Sequence, residues 1–296
     1  MLKNKTIKGY IFAFIAAIAL ANSFVFSKAA LKEIDFIQFG FIWFAFGVSW
    51  NLLYVIIRKN VINKSLLSKK TVSISLIIAL LEAIATGLFY IAINRVENPA
   101  IVSFIGNIGP VFVVILGVYF LKEKYSWFGG FGILLTIGGV FIISYRGNFI
   151  LTNLFIEGTE FVVMASLFFS VATILARKYR TNLNPTFLSF IRSILLFVSF
   201  LVLFIVFNKN LEIPRSAFGN ILIGSFLETF ITIIFAYEAL KHIEASQTSL
   251  IISTKSIFVL LGAFLYFHIF PSYLHVFGGL LTIIGVMIII KKRIKY

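Results

Sequence analysis

The sequence predicts an all-α integral membrane protein with ten transmembrane helices, arranged as an inverted repeat of five plus five helices. Composition, the length of the apolar runs and an internal repeat lead to this prediction. Of the 296 residues, 60% are hydrophobic and 12% are charged, and the mean hydropathy is +1.04. A soluble domain carries roughly 25% charged residues, so this chain lacks the polar side chains needed to cover a surface in water.

The apolar residues form continuous runs separated by short connections. A helix needs roughly 20 apolar residues to cross the hydrocarbon core of a bilayer, and these runs lack the strict alternation of barrel strands. Their lengths therefore predict helices as the elements that cross the membrane. The ten predicted spans are 9–28, 36–57, 71–93, 98–120, 126–145, 157–176, 185–207, 217–240, 245–267 and 272–290.

The first of these spans could be mistaken for a cleaved secretory signal, because Lys3, Lys5 and Lys8 precede an apolar run. The run continues through Phe26, however, and the internal repeat requires a helix at this place. We therefore expect this segment to remain as the first helix.

The chain contains the same unit twice. When the sequence is shifted by 146 residues, Glu82 falls on Glu228, and the run 134–140 falls on 280–286 without a gap. Apolar composition alone produces chance matches, but it does not align one glutamate with another inside two hydrophobic runs. An internal repeat has to be settled before a fold is argued, and this one divides the chain into residues 1–147 and residues 148–296.

Basic residues are concentrated on one side of the predicted membrane. With the N-terminus in the cytoplasm, the cytoplasmic segments hold 18 Lys and Arg residues and the opposite segments hold 6. This asymmetry predicts that both termini are cytoplasmic. Because each half has an odd number of spans, the second half must enter the membrane from the opposite side. Inverted repeats of this kind are typical of secondary transporters, whose substrate binds near the midplane between the repeats.

Several residues at particular places in these spans resemble those of a known family. The fourth span contains Pro110 and is followed by Lys122-Glu123-Lys124, the fifth is rich in glycine, and the seventh carries Arg192 near its start. With the two five-helix halves, these features resemble the drug/metabolite transporter superfamily, and within it the ten-helix EamA-type branch. The resemblance covers essentially the whole chain. It implies that the first four helices of each half rock against each other, with the fifth and tenth spans as peripheral supports.

The resemblance is specific for the architecture and weak for the substrate. Members of the family handle amino acids, cations, sugars, nucleotide conjugates and lipids. The chain also departs from the family pattern: Trp43 stands where the second span often carries an arginine, Ser256 replaces a proline in the ninth span, and His268-Ile269 replaces its acidic end. The substrate of any one relative is therefore not transferred to this chain.

We expect a secondary transporter that moves a small polar or amphipathic metabolite across the cytoplasmic (inner) membrane, with amino-acid-like or cationic compounds favoured. Export is the commoner direction in the family, and proton-coupled export and uncoupled exchange are both compatible with the sequence. The alternative within the same fold is a flippase for a lipid carrier or a phosphorylated metabolite. A membrane enzyme or scaffold is a third class, but His242, His268 and His275 are scattered and no phosphate-binding loop is present.

Composition and spacing also bear on the expected partners. The net charge of +15 lies in short clusters between apolar runs, a pattern of membrane topology rather than of nucleic-acid binding. Because the chain has no cysteine and no histidine cluster, we expect no cofactor, no metal site and no catalytic residues. The expected partners are the substrate, the lipid bilayer and, in a coupled cycle, protons. The glycine-rich spans could pack within the chain or form the surface of a homodimer.

Two acidic residues lie in the middle of predicted spans, Glu82 in the third and Glu228 in the eighth. An ionised side chain at that depth costs at least ~2.5–3.5 kcal/mol, so it rarely faces lipid. The repeat relates the two spans, and the two carboxyls should therefore approach its axis together. Such a pair can bind a cation, relay a proton or share one proton. The alternative is a structural pair, each member neutralised by a neighbouring Lys or Arg.

Two basic residues complete the charged candidates. Lys255 lies midway along the ninth span, where it could neutralise Glu228 or receive the carboxylate or phosphate of a substrate. Arg192 lies about one and a half turns into the seventh span. We expect its side chain to extend to the membrane interface, with lining of the cavity as the alternative.

The remaining candidates are polar or aromatic. Asn107 and Asn22 place amides midway along the fourth and first spans, where they could line a cavity or join helices by hydrogen bonds. Trp43, Tyr90 and Tyr237 could surround an apolar or quaternary-ammonium substrate, although any one of them could equally serve in packing.

Overall fold

The computed structural model describes residues 2–57, 68–122, 127–145, 155–181 and 183–291. These ranges form helices joined by short loops and contain no strand; Tyr145 and Phe155 make an isolated antiparallel bridge. In chain order the helices are α1 (Leu2–Leu31), α2 (Phe36–Ile57), α3 (Lys69–Arg95), α4 (Pro99–Leu121), α5 (Trp127–Ser144), α6 (Thr159–Lys178), α7 (Pro185–Val206), α8 (Arg215–His242), α9 (Ala245–Ser253 and Lys255–Phe267) and α10 (Tyr273–Lys291).

These helices have the length and composition expected in a bilayer. Nine helices of the described ranges, α1 to α9, are long and apolar enough to cross a membrane, and the apolar stretch Tyr273–Ile288 of α10 is shorter. Large apolar side chains such as Leu80, Leu134 and Ile205 are more than half exposed on the outside of the bundle, as a surface in contact with lipid requires. The predicted class, an all-helical protein of membrane-spanning helices, is confirmed. Several basic residues counted for the orientation, among them Arg58, Lys124 and Arg146, lie outside the described ranges.

Two helices are interrupted near their middle. In α4 the helix Pro99–Ile105 gives way to a 3₁₀ turn at Gly106–Ile108 before the helix Gly109–Leu121 begins. This is the interruption that Pro110 predicts. The second interruption, at Thr254 in α9, was not predicted, because Ser256 stands where a proline would have signalled it.

Hydroxyl groups that bond back to the helix backbone accompany the interruption of α9. Ser253 and Thr254 donate to the carbonyl oxygens of Leu250 and Ile251, at 2.6 Å in both cases. Side chains that bond back to carbonyls of the preceding turn bend a helix. The pair of hydroxyl residues was therefore the available signal for this break.

A segment of α8 is wound more widely than an α-helix. Residues Phe226–Thr232 form a π-helical segment, and Glu228 lies within it. The Thr232 hydroxyl donates to the carbonyl oxygen of Leu227, five residues earlier, at 2.9 Å. π-Helical segments are rare and occur frequently at functional sites. The corresponding part of α3, around Glu82, is a regular α-helix.

Glycines bring α5 and α10 into close contact. A Cβ atom at Gly139 would lie 2.6 Å from the carbonyl oxygen of Gly278, and one at Gly285 would lie 2.6 Å from that of Gly132. Glycine at such crossings lets two helix backbones approach each other. At these positions the glycines therefore allow α5 and α10 to pack closely within the chain. Gly138 has no other residue within 4 Å of its Cβ position, and a dimer surface on that face stays a prediction.

Candidate functional site

A cavity of about 200 Å³ lies at the centre of the bundle. Among the described residues, its lining comes from α1, α3, α4 and α6 to α9, and none of it comes from α5 or α10. Aromatic rings such as Phe24, Phe89 and Phe169 form much of the apolar wall. The charged side chains of the lining are Glu82, Glu228, Arg192 and Lys255.

Arg192 lies between the two glutamates. Its Nη2 donates a short hydrogen bond to Glu228 Oε1 and a second bond of 2.8 Å to Thr86 Oγ1, while its Nε lies 3.4 Å from Glu82 Oε2. Only 1% of the Arg192 surface is exposed. A guanidinium between two carboxylates offsets part of the cost of removing each charge from water. Any of the three charges would be more costly to bury alone.

The two glutamates are not held equally. Glu228 accepts hydrogen bonds from Arg192 and, at 3.3 Å, from the indole Nε1 of Trp43. Glu82 has the longer contact to Arg192 Nε, which does not meet the geometry of a hydrogen bond. The phenol of Tyr237 lies beside Glu82 and interacts with its carboxylate, at a geometry short of a full hydrogen bond. Glu228 is therefore held by two hydrogen bonds, whereas Glu82 has the weaker contacts to Arg192 and Tyr237.

Lys255 is a buried charge with no ion-pair partner among the described residues. No ion pair or hydrogen bond joins its ammonium to another described residue. The nearest charge-related contact is the ring of Phe24, whose centroid lies 5.9 Å from Nζ, at the outer limit of a cation–π interaction. Of the two roles that the sequence left open for Lys255, pairing with Glu228 is wrong, because Arg192 is the partner of that carboxylate.

The expectation that Arg192 extends to the membrane interface is also wrong. The residue lies in the second turn of α7, from which an arginine side chain could reach the interface. It turns inward instead because Glu82 and Glu228, on two neighbouring helices, supply the opposite charge. The position of a residue along its own helix does not reveal partners on other helices.

Two polar candidates lie away from the cavity. Asn22 is exposed on the outside of α1, where its Nδ2 donates to the carbonyl oxygen of Ile18 at 2.9 Å. Asn107 is fully buried between helices: its Nδ2 donates to Thr282 Oγ1 at 3.0 Å, and its Oδ1 accepts from Ser256 Oγ at 3.1 Å. Asn107 therefore joins α4, α9 and α10, and neither amide contributes to the cavity.

The aromatic candidates occupy two different places. Tyr90 and Tyr237 line the cavity, and both are buried. Trp43, also buried, lies behind Glu228 and reaches the site only through its hydrogen bond to that carboxylate. Trp43 therefore holds a charged side chain in place, whereas the two tyrosines face the cavity.

The sequence of this chain matches that of a known protein family. A family model, the EamA-like transporter family, matches residues 7–145 and again residues 158–291. The chain belongs to the EamA-like transporter family. The resemblance inferred from the sequence is thereby confirmed, and the central cavity is the cavity of an EamA-like transporter.

Relatives of this EamA-like transporter agree with that assignment. An uncharacterised transporter of Methanothermobacter thermautotrophicus is 23% identical over 295 residues, covering 95% of this chain and 85% of that protein. The uncharacterised transporter YcxC of Bacillus subtilis is 23% identical over 322 residues, covering 100% of this chain and 97% of that protein. A solved crystal structure has a TM-score of 0.69 at 14% identity, covering 98% of this chain and 97% of that one. Identity at this level shows the fold alone.

Sequence reasoning missed one polar face of the transporter's cavity. Ser166, Ser170 and Thr173 follow one another along α6 at spacings of four and three residues, and all three line the cavity. Residues at these spacings share one face of a helix. A row of hydroxyl groups on an otherwise apolar helix was the signal that could have identified this face. The role of Thr86, which binds Arg192, had no comparable signal.

Proposed function

We propose that this chain is a secondary transporter that moves a small amphipathic metabolite, amino-acid-like in its charges, across the cytoplasmic membrane by alternating access. The observation that carries this proposal is the separation of opposite charges in one cavity. The carboxylates of Glu82 and Glu228 lie with Arg192, and the ammonium of Lys255 stands apart from them. A ligand with an ammonium and a carboxylate matches this arrangement end to end.

The formal charge of the site favours a dipolar ligand over a simple cation. Two glutamates, one arginine and one lysine line the cavity, so their formal charges sum to zero when all are ionised. A zwitterion leaves this sum unchanged, whereas a bare cation adds a positive charge inside the membrane, where an unbalanced charge is costly. The sequence had left amino-acid-like and cationic substrates equally open.

Alternating access requires two related halves, and several structural landmarks support the inverted repeat. The N-cap positions of α4 and α9 are Asn98 and Glu244, 146 residues apart. The two helices end at Lys122 and His268, again 146 residues apart, and both residues adopt the left-handed backbone conformation, with φ of 56° and 54°. The family model also matches each half once. We place both termini in the cytoplasm on the distribution of Lys and Arg.

Glu82 is the carboxylate best placed to take part in the transport cycle. It lines the cavity and has no hydrogen bond from Arg192, so its charge is available to a substrate ammonium or to a proton. Export in exchange for a proton entering the cell is the coupling that we propose for this carboxylate. Glu228 is occupied by Arg192 and Trp43.

Transport by the purified protein in proteoliposomes tests the proposal. We expect the wild type to exchange radiolabelled amino acids with apolar side chains, and Glu82→Gln to lower the initial rate at least tenfold. Glu238→Gln is the matched control, because Glu238 pairs with Lys241 at the end of α8 outside the cavity lining, and we expect its rate to be unchanged. Transport restricted to phosphorylated metabolites or lipid carriers would contradict the proposal in favour of a flippase.

A further inference from the structure

The burial of the Lys255 ammonium in the cavity is not explained by any described side chain around it. The residue is 9% exposed and lines the central cavity, yet no carboxylate of the described residues lies within ion-pair distance of its ammonium. Burial of an unpaired charge is strongly unfavourable. The cost is reduced when a ligand of opposite charge enters the same space.

The structure removes the simplest structural role for this lysine. A counter-ion for the buried glutamates is already present, because Arg192 contacts both of them. The ring of Phe24, 5.9 Å from Nζ, offers a cation–π contact at the outer limit of its range and carries no formal negative charge. Among the described residues, no ion-pair or hydrogen-bond partner therefore accounts for the position of Lys255 in the membrane.

The backbone adds to the positive potential at this position. Lys255 is the first residue of the 13-residue helix Lys255–Phe267, which begins inside the bundle after the break at Thr254. The N-terminus of a helix carries a partial positive charge from its aligned peptide dipoles. In transporters with interrupted helices, such half-helix N-termini face anionic groups of the substrate. The ammonium and the helix terminus thus favour the same kind of ligand atom.

Several serine hydroxyls line the same cavity as Lys255. Ser249 and Ser253, from the preceding segment of α9, and Ser27 of α1 line the same cavity. The hydroxyls of Ser253 and Ser27 donate to backbone carbonyls, at 2.6 and 3.1 Å. The Ser249 hydroxyl has no hydrogen bond to a described residue and is the donor available to a ligand.

We infer that Lys255, with the N-terminus of its half-helix, forms a subsite for an anionic oxygen group of the ligand, a carboxylate or a phosphate. The subsite rests on the proposed function, because it gives one end of the transported molecule a binding partner. It deepens that function by assigning the anionic end to α9 and the cationic end to Glu82.

Four probes with the same phenyl body test the binding of the cationic end and of the anionic end of the ligand independently. L-Phenylalanine, phenethylamine, 3-phenylpropionate and phenyl phosphate share a phenyl body suited to the aromatic wall, and they differ in their charged groups. The readout is the ligand-induced rise in the melting temperature of the purified protein in detergent, since a ligand that binds the folded state stabilises it by mass action. The variants are Lys255→Gln, Lys255→Arg and Lys28→Gln.

Lys28 is the matched control for Lys255. It is also a buried lysine, but its Nζ donates to the carbonyl oxygens of Ile93 and Asn94, at 2.9 and 3.1 Å, and it lies outside the cavity lining. We expect Lys28→Gln to melt at a lower temperature than the wild type while keeping the full response to every probe. Lys255→Gln should melt at or above the wild-type temperature, because it removes an unpaired buried charge.

We expect a carboxylate or phosphate probe to raise the melting temperature of the wild type, Lys255→Gln to abolish that rise, and Lys255→Arg to keep part of it. The response to phenethylamine should be kept or enlarged in Lys255→Gln, because the loss of the lysine charge leaves the cavity lining with an excess negative charge. The carboxylate and phosphate arms show which oxyanion the subsite prefers. The inference is overturned if neither anionic probe stabilises the wild type, or if the response to the anions survives in Lys255→Gln.

The outcomes for the subsite and for the transport proposal remain distinguishable. Binding of 3-phenylpropionate through Lys255 without exchange of amino acids in proteoliposomes would reject the proposed substrate and keep the subsite. Amino-acid exchange that is unchanged in Lys255→Gln would keep the transporter and reject the subsite.

Discussion

At the scale of single residues, the site is asymmetric although its two carboxylates are equivalent in the repeat. Glu82 and Glu228 align at an offset of 146 residues, but the residue aligned with Arg192 is Phe46. One guanidinium therefore serves two carboxylates. In this structure its hydrogen bonds go to Glu228 and Thr86, while Glu82 has only the 3.4 Å contact to Nε. We therefore propose that the carboxylate on α8 is structural and that the carboxylate on α3 is available to a ligand.

This asymmetry predicts different effects of removing each charge. Glu228→Gln leaves Arg192 without its hydrogen-bonded counter-ion, and breaking a buried pair in this way costs on the order of 3–5 kcal/mol. Glu82→Gln keeps the bond between Arg192 and Glu228, so we expect the protein to retain its stability within about 1 kcal/mol while losing transport. Thermal unfolding in detergent measures both effects. Equal destabilisation by the two variants would contradict the assignment of different roles.

The sequence revealed which residues carry charge inside the membrane, but it did not reveal how they pair. Glu82, Glu228 and Lys255 were identifiable because an ionisable residue in the middle of an apolar run requires an explanation. Arg192 was placed at the interface, because near a helix end the reach of its side chain is the sole guide that one helix offers. Its actual partners lie on α3 and α8, and their proximity is a property of helix packing.

At the scale of secondary-structure elements, α5 and α10 form a unit held by glycine and threonine. Their backbones approach at Gly139 and Gly278, and again at Gly132 and Gly285. Neither helix contributes to the cavity lining of the described residues. We propose that the pair remains fixed while the helices around the cavity move, as the family resemblance implied.

The close crossing of α5 and α10 predicts that Gly139→Ala destabilises the protein, and Gly138→Ala, one residue away, is the control. In Gly139→Ala the new Cβ would lie 2.6 Å from the carbonyl oxygen of Gly278 and 2.9 Å from the amide nitrogen of Thr282, both backbone atoms. Overpacking of this kind costs about 1–3 kcal/mol, so we expect a lower melting temperature. Gly138→Ala meets nothing within 4 Å and should be neutral or slightly stabilising. If both variants melt at the wild-type temperature, the described crossing of α5 and α10 is incorrect.

The approximate positions of the helices could be predicted from the sequence. Irregularities inside the helices could be predicted only where a proline indicated them. The 3₁₀ turn at Gly106–Ile108 adjoins Pro110, which made it predictable. The break at Thr254 and the π-helical segment Phe226–Thr232 both coincide with hydroxyl groups that bond to the backbone, and the π-helical segment contains Glu228. Hydrophobic periodicity indicates which face of a helix is apolar and does not report such irregularities.

At the scale of the whole molecule, the cavity lies where two repeats would meet. Its lining draws on α1, α3 and α4 of the first half and on α6 to α9 of the second. A rocking motion of one half against the other would therefore change access to the cavity without unfolding any helix, which is the mechanical basis of alternating access.

Accessibility of the cavity from the two sides of the membrane is the most direct measurement of this central claim. The chain contains no cysteine, so Ser166→Cys places a single thiol on α6 at the cavity lining. The control is Asn22→Cys, on the outside of α1 and outside the lining. A charged, membrane-impermeant thiol reagent is applied to right-side-out and to inside-out vesicles, and the labelled fraction is measured over time.

Alternating access predicts that Ser166→Cys is labelled in both vesicle orientations and that Asn22→Cys is labelled in neither, because lipid covers its side of α1. A transported ligand should slow the labelling of Ser166→Cys. Labelling from one side alone under every condition would contradict the account, since it would mean that the cavity never opens to the other side.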